Sequence, residues 1–236
     1  MFTGQSNIVD FHGIILFESF LRGWLQAKET GSLRISCIVL VGGKSERLGR
    51  DKALEPLVAG NLLERVLSRL GSFNSEIILV ARPGQDLSRF SDFPGLSIVH
   101  DANPGKGPMG GLYTGLCTST APYSLVTAGD MPFLNINFLR YMVQLSPGFD
   151  VIVPRVKDYI EPLYAVYSRN CLKPIEDLLT QGDLQIRKLF KAVKVRYVEA
   201  AEIDRFDPGH LSFFNVNTEA DLKKAREIIK SMDLEL

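Results

Sequence analysis

Ile35-Ser36-Cys37-Ile38-Val39-Leu40-Val41-Gly42-Gly43-Lys44-Ser45-Glu46-Arg47-Leu48-Gly49-Arg50-Asp51-Lys52 decides the fold. Residues 35–41 form an apolar run rich in β-branched side chains, which reads as a buried strand. It stops at two glycines, and a third stands at Gly49. Glycines there let the backbone turn sharply and approach a ligand closely. Successive main-chain N–H groups in such a loop can cradle an anion. Arg47 and Lys52 place positive charge beside it. A strand feeding a glycine-rich, basic loop suits a triphosphate. The loop lacks the Gly-x-x-x-x-Gly-Lys-Ser/Thr spacing of a Walker A motif. The plainer reading is a glycine turn with solvated cations.

Outward from this stretch the pattern alternates. Strands are predicted at 76–80, 96–100, 123–128, 149–154, 162–167 and 193–198. Helices are predicted at 62–70, 109–118, 136–145, 170–180, 184–191 and 219–232. Asn61, Asn135 and Thr218 are the expected N-caps, with Asp221 completing a capping box and Gly71 stopping the first helix. Strand–helix alternation predicts an α/β fold. It is a three-layer, Rossmann-like arrangement with a mostly parallel sheet and helices on both faces. Ligands in such sheets bind beyond the carboxyl ends of the strands. Each strand–helix loop is therefore a place to look for chemistry.

Asp101-Ala102-Asn103-Pro104-Gly105-Lys106-Gly107-Pro108-Met109-Gly110-Gly111 joins another strand to a helix. Gly105, Gly107 and Gly110 satisfy Gly-x-Gly-x-x-Gly, with Asp130 at the offset of a ribose-binding carboxylate. A dinucleotide site therefore competes. Pro108 inside the motif and the earlier glycine loop argue against it. Asp130 stands at the carboxyl end of a strong apolar strand in Gly129-Asp130-Met131-Pro132. It is either a turn residue or a Mg²⁺ ligand, since Mg²⁺ takes one or two carboxylates with phosphates and waters. Asn215 and Asn217 alternate on a short segment, so both face one side. They would contact a polar substrate or bridge backbone.

The 236-residue chain is 45% hydrophobic and 23% charged, ordinary values for a globular protein. Lys+Arg and Asp+Glu number 27 each, so nothing global points to nucleic acid or an anionic membrane. Cys37, Cys117 and Cys171 are scattered and form no CxxC pair, as expected of thiols in a reducing cytoplasm. His12, His100 and His210 form no triad or metal set. Residues 1–33 read as an N-terminal extension carrying a helical stripe, Ile14, Phe17, Leu21 and Trp24. Residues 34–236 read as the main domain. The stripe would pack on the body, meet a partner or have no role.

Taken in order, these loops resemble the molybdenum cofactor guanylyltransferases. Leu-x-Gly-Gly-x-Ser-x-Arg-x-Gly-x-Asp-Lys is met from Leu40 to Lys52. Asp101 precedes the Gly107–Gly111 loop, Asp130 precedes x-Pro, and Asn-x-Asn-Thr is met at Asn215–Thr218. Pro162-Leu163-Tyr164-Ala165 is similar to the family's strand after the metal site. Two positions depart from the pattern: Val41 replaces the usual Ala, and Gly129 stands where Cys is frequent.

The resemblance implies a nucleotidyltransferase fold. It also implies transfer of GMP from Mg-GTP to the phosphate of molybdenum-bearing molybdopterin, with release of pyrophosphate. It places Arg47, Lys52 and Asp130 in catalysis, with Asp130 on Mg²⁺. Leu40, Val41, Gly42, Gly43, Lys52, Asp101 and Asp130 would contact the nucleotide, and Asn215 and Asn217 the pterin side. The implied partners are GTP and molybdopterin, with molybdenum insertion proteins and molybdoenzyme chaperones beside them. Three alternatives stay open. They are a molybdopterin cytidylyltransferase or sugar-nucleotide transferase on the same fold, a dinucleotide-dependent oxidoreductase, and a nucleotide-binding module.

Overall fold

Short Val- and Ile-rich runs alternating with amphipathic ones close into a single layered sheet. The computed structural model describes residues 33–41 and 52–234. Among them, eight strands pair: β1 (Ile35–Leu40), β2 (Glu76–Ala81), β3 (Leu96–His100), β4 (Tyr123–Ala128), β5 (Val151–Val156), β6 (Tyr159–Ile160), β7 (Tyr164–Ser168) and β8 (Val195–Glu199). The described helices are α1 (Leu62–Gly71), α2 (Gly107–Thr118), α3 (Ile136–Gln144), α4 (Leu172–Thr180), α5 (Ile186–Leu189), α6 (Ala200–Ile203) and α7 (Glu219–Leu234).

The order is β3-β2-β1-β4-β7-β5-β6, with β8 also on β5. Strands β1 to β4 run parallel, and β5 and β8 run parallel to each other. Strand β7 is reversed, antiparallel to both β4 and β5. The parallel strands therefore end together at one edge. The start of β7 reaches that same edge, because Tyr164 pairs with Thr127.

Side-chain alternation divides the core. Ile38, Ile78, Val80, Val126, Val153, Ala165 and Tyr167 pack with Met109, Leu112 and Leu116 of α2, Ile175 of α4 and Ile186 and Leu189 of α5. The other face carries α1 and α3. Phe138 of α3 stacks on Tyr164 at 5.6 Å between ring centres. Leu62, Leu222, Ala225 and Ile229 join α1 and α7 with Leu57, Phe133 and Val216. The expected α/β layering is thus present.

The N-caps agree with the sequence reading, whereas Gly71, the expected stop, is the last residue of α1 and Ser72 caps it through its N–H to the Arg69 and Leu70 carbonyls. Asn61 accepts the Glu64 N–H at 2.9 Å while Glu64 accepts the Asn61 N–H, a full capping box. Asn135 caps Phe138, and Thr218 and Asp221 bond reciprocally at the start of α7. No described helix is long and apolar enough to cross a membrane. The stripe at Ile14 to Trp24 lies outside the described residues.

Strand β5 departs from the sequence reading at both ends. It begins at Val151, because the Asp150 carboxylate instead accepts bonds from Ser168, Asn170 and the Lys194 N–H. It runs through Pro154 to Val156. Proline is tolerated there because β7 pairs with Val151 and Ile152 and β6 with Arg155 and Val156, leaving Pro154 in the gap between them.

Candidate active site

The carboxyl edge of the sheet gathers the strand ends into adjacent positions. The Gly129 N–H donates to the Leu40 carbonyl at 2.9 Å, so the loop into Asp130 starts beside the end of β1. The Val41 N–H donates to Val80 at 3.0 Å, and the Asp101 N–H to Ala81 at 2.7 Å. The C-terminal segment joins them through the Val216 N–H, which donates to the Asp130 carbonyl at 2.9 Å. Leu40, Val41, Asp101, Asp130, Asn215 and Asn217 are thus brought to one edge from distant parts of the chain. Gly42, Gly43 and Arg47 lie outside the described residues. Lys52 opens a short 3-10 turn, Lys52–Leu54.

Each residue has a local reason for its place. One Asp101 carboxylate oxygen accepts the Asn103 N–H at 2.9 Å and the Thr114 hydroxyl at 3.0 Å. Thr114 in turn accepts the Ala102 N–H. This fastens the loop to α2, and among the described residues no bond is made to the second Asp101 oxygen. Gly110 is needed for the same closeness, since a Cβ there would sit 2.7 Å from the Asn103 carbonyl oxygen. Of the three glycines in the Gly-x-Gly-x-x-Gly spacing only Gly110 serves this packing; Gly105 and Gly107 have open space around them and take positive φ. α2 begins without a side-chain cap, so its first N–H groups face the edge with the positive end of the helix dipole. Asn215 and Asn217 flank Val216, which is fully buried. The Asn215 amide donates to Phe213, and the Asn217 N–H to Asp221.

Glu161 also belongs to this edge, although reading strand–helix loops did not single it out. It lies in the turn leading into β7, with the Tyr164 N–H donating to its carbonyl. Its side chain is buried, at 7% exposure, and accepts the Tyr159 hydroxyl at 2.8 Å. Burial raises its pKa above the usual glutamate range. The Tyr159 hydroxyl and the Leu163 N–H oppose that rise. The charge of Asp130 adds to it, and that of Arg187 lowers it. Arg187 lies 5.8 Å from the Tyr159 ring centre. The one sequence signal was adjacency, since Glu161 directly precedes Pro162-Leu163-Tyr164-Ala165.

Among the described residues no group of three or more His, Cys, Asp or Glu side chains could hold a metal. What the edge offers is hard oxygen, from Asp130, Glu161 and the asparagine amides. That donor set fits Mg²⁺, which keeps its waters and shares few carboxylates with substrate phosphates.

A family model described as the MobA-like NTP transferase domain matches residues 37–199. The chain belongs to the MobA-like NTP transferase family. Within it, a "probable molybdenum cofactor guanylyltransferase" from Pelotomaculum thermopropionicum is 35% identical over 82% of this chain and 93% of that protein. A molybdenum cofactor guanylyltransferase from Syntrophotalea carbinolica is 34% identical over 81% and 90%. Among solved structures, molybdopterin-guanine dinucleotide biosynthesis protein A from Archaeoglobus fulgidus superimposes with a TM-score of 0.73. It is 30% identical, over 83% of this chain and 99% of that one.

The two positions that differ from the expected pattern, Val41 and Gly129, are neighbours in space. A Cβ on Gly129 would fall 2.5 Å from Cγ1 of Val41. Val41 is buried, and its β-branch leaves little rotational escape. The larger side chain at one position therefore requires the glycine at the other. Gly129→Cys alone should cost about 1–3 kcal/mol by overpacking. Val41→Ala alone should destabilise by leaving a void. Together they should cost less than their sum, with a coupling of about 0.5–3 kcal/mol. Urea unfolding of the four proteins measures this, and simple additivity would show that the contact is slack.

Proposed function

We propose that this chain transfers GMP from Mg-GTP to the terminal phosphate of molybdenum-bearing molybdopterin. An acceptor phosphate oxygen attacks the α-phosphorus, and the bond to the bridging oxygen breaks. Pyrophosphate leaves with that electron pair. The acceptor is already anionic, so no strong general base is needed, in keeping with three scattered histidines. The observation that carries the reading is the bond from Val216 to Asp130. It sets the Asn-x-Asn segment against the backbone of Asp130, just past the end of β4.

The residues divide the work of positioning and charge neutralisation. The glycine loop at Gly42 and Gly43 cradles the triphosphate. Arg47 and Lys52 steady charge on the departing pyrophosphate. Leu40, Val41 and Asp101 meet the guanine nucleotide. For Asp101 the second carboxylate oxygen would accept the N–H donors of guanine or a ribose hydroxyl. Asn215 and Asn217 line the pterin side. Asp130 would hold Mg²⁺, which when bound neutralises phosphate charge and orients the α-phosphorus. Residues 34–236 form the catalytic unit, which works in the cytoplasm. Molybdenum insertion proteins and molybdoenzyme chaperones are its neighbours in the reaction sequence.

Heat protection by nucleotides tests the assignment. GTP with Mg²⁺ should raise the melting temperature more than CTP does, and NAD(H) should have little effect. Preference for CTP would move the chain to the cytidylyl branch. Protection by NAD alone would remove the transferase reading.

A further inference from the structure

Buried carboxylates are held at a cost in desolvation, so a buried glutamate beside a second carboxylate calls for a physical reason. Glu161 is such a group. The pairing of Tyr164 with Thr127 sets the turn into β7 against the residues just past β4, and Asp130 is among them. The Glu161 main chain is fixed at both ends. Its N–H donates to Pro154 at 3.2 Å, and its carbonyl accepts from Tyr164 at 3.2 Å. Its side chain cannot swing freely to water, since the Tyr159 hydroxyl holds one oxygen and exposure is 7%. The turn therefore delivers a second negative charge to the neighbourhood of Asp130. As a simple structural acceptor for Tyr159, a neutral glutamine would serve equally well and would avoid burying a charge.

We propose that Glu161 is a positioning residue whose fixed negative charge, beside Asp130, helps hold the divalent cation that Asp130 ligates. This rests on the transferase reading of the site. Without cation the charge of Asp130 opposes that of Glu161. With cation both are drawn to it. Arg187 and the Tyr159 hydroxyl moderate the charge.

The test uses the full-length protein with Mn²⁺ as probe, followed by electron paramagnetic resonance in the presence of GTP. Glu161→Gln keeps the size and the acceptor for Tyr159 but removes the charge. It should weaken Mn²⁺ binding about tenfold, the lower end of what outer partners of metal ligands contribute. Cation-free Glu161→Gln should melt at or above the wild-type temperature, because a repulsive buried charge has gone. A structural role predicts the reverse pattern: lower melting and unchanged Mn²⁺ affinity. Glu161→Asp retains charge and should fall between wild type and Gln in Mn²⁺ affinity. If Glu161→Gln binds Mn²⁺ as tightly as wild type while Asp130→Asn binds it weakly, the role proposed for Glu161 is wrong and the transferase site stands. If wild type binds no Mn²⁺ with GTP, or Asp130→Asn is without effect, the site reading fails and takes this inference with it.

Discussion

Asp130→Asn should lower GMP transfer to molybdopterin on the order of 100-fold or more at ordinary Mg²⁺, the scale seen when a preorganised electrostatic contact is removed. Raising Mg²⁺ should recover part of the loss. Asparagine keeps the shape of the side chain and leaves the backbone bond from Val216 untouched, because that bond ends on the carbonyl. The protein should therefore fold normally and lose mainly cation affinity. A Mg²⁺ titration of the transfer rate reads both effects. Near-normal activity at ordinary Mg²⁺ would make Asp130 a turn residue.

Lys52→Ala should behave otherwise. Turnover should fall on the order of 100-fold, more than GTP binding weakens, and no Mg²⁺ concentration should restore it. The residues after Lys52 are firmly seated. Ala53 and Leu57 are buried, and the Glu55 carbonyl accepts the Leu62 N–H. Arg226 of α7 donates twice to the Pro56 carbonyl, at 2.7 and 3.1 Å. A lysine opening this segment starts from a fixed backbone, which suits a group that acts on leaving-group charge. Single-turnover rates compared with GTP dissociation constants separate the two effects. Equal losses in both would make Lys52 a binding residue only.

Much of the fold was legible because the parallel strands are short apolar runs bounded by turn residues and helix caps. Leu96–His100 and Tyr123–Ala128 coincide with their predicted bounds. Tyr159–Ile160 was not legible, since two residues carry no period. The turn of helix at Ala200–Ile203 is too short for a stripe. The loops after β3 and β4 could be found by inspecting the residues just past each strand's carboxyl end. Glu161 escaped that search for a topological reason. It precedes a reversed strand, so it reaches the edge from the amino end of β7, on a strand-to-strand turn. Local pattern carries no signal for that reversal. It is settled by pairing between residues far apart in the chain, Ser124 with Tyr167 and Thr127 with Tyr164.

The contact between Val41 and the space above Gly129 bears on how this sequence was reached. Were the pair reached from alanine and cysteine, two single steps would lead to it, and they would not be equivalent. Gaining valine first would press its methyl against an existing side chain just past the end of β1. Losing the cysteine to glycine first opens room, at the cost of a temporary hollow. The second order is the more passable. Chains of this family with valine after the first leucine should therefore carry glycine before the aspartate. Glycine with alanine should turn up as the surviving intermediate, and valine with cysteine should be scarce.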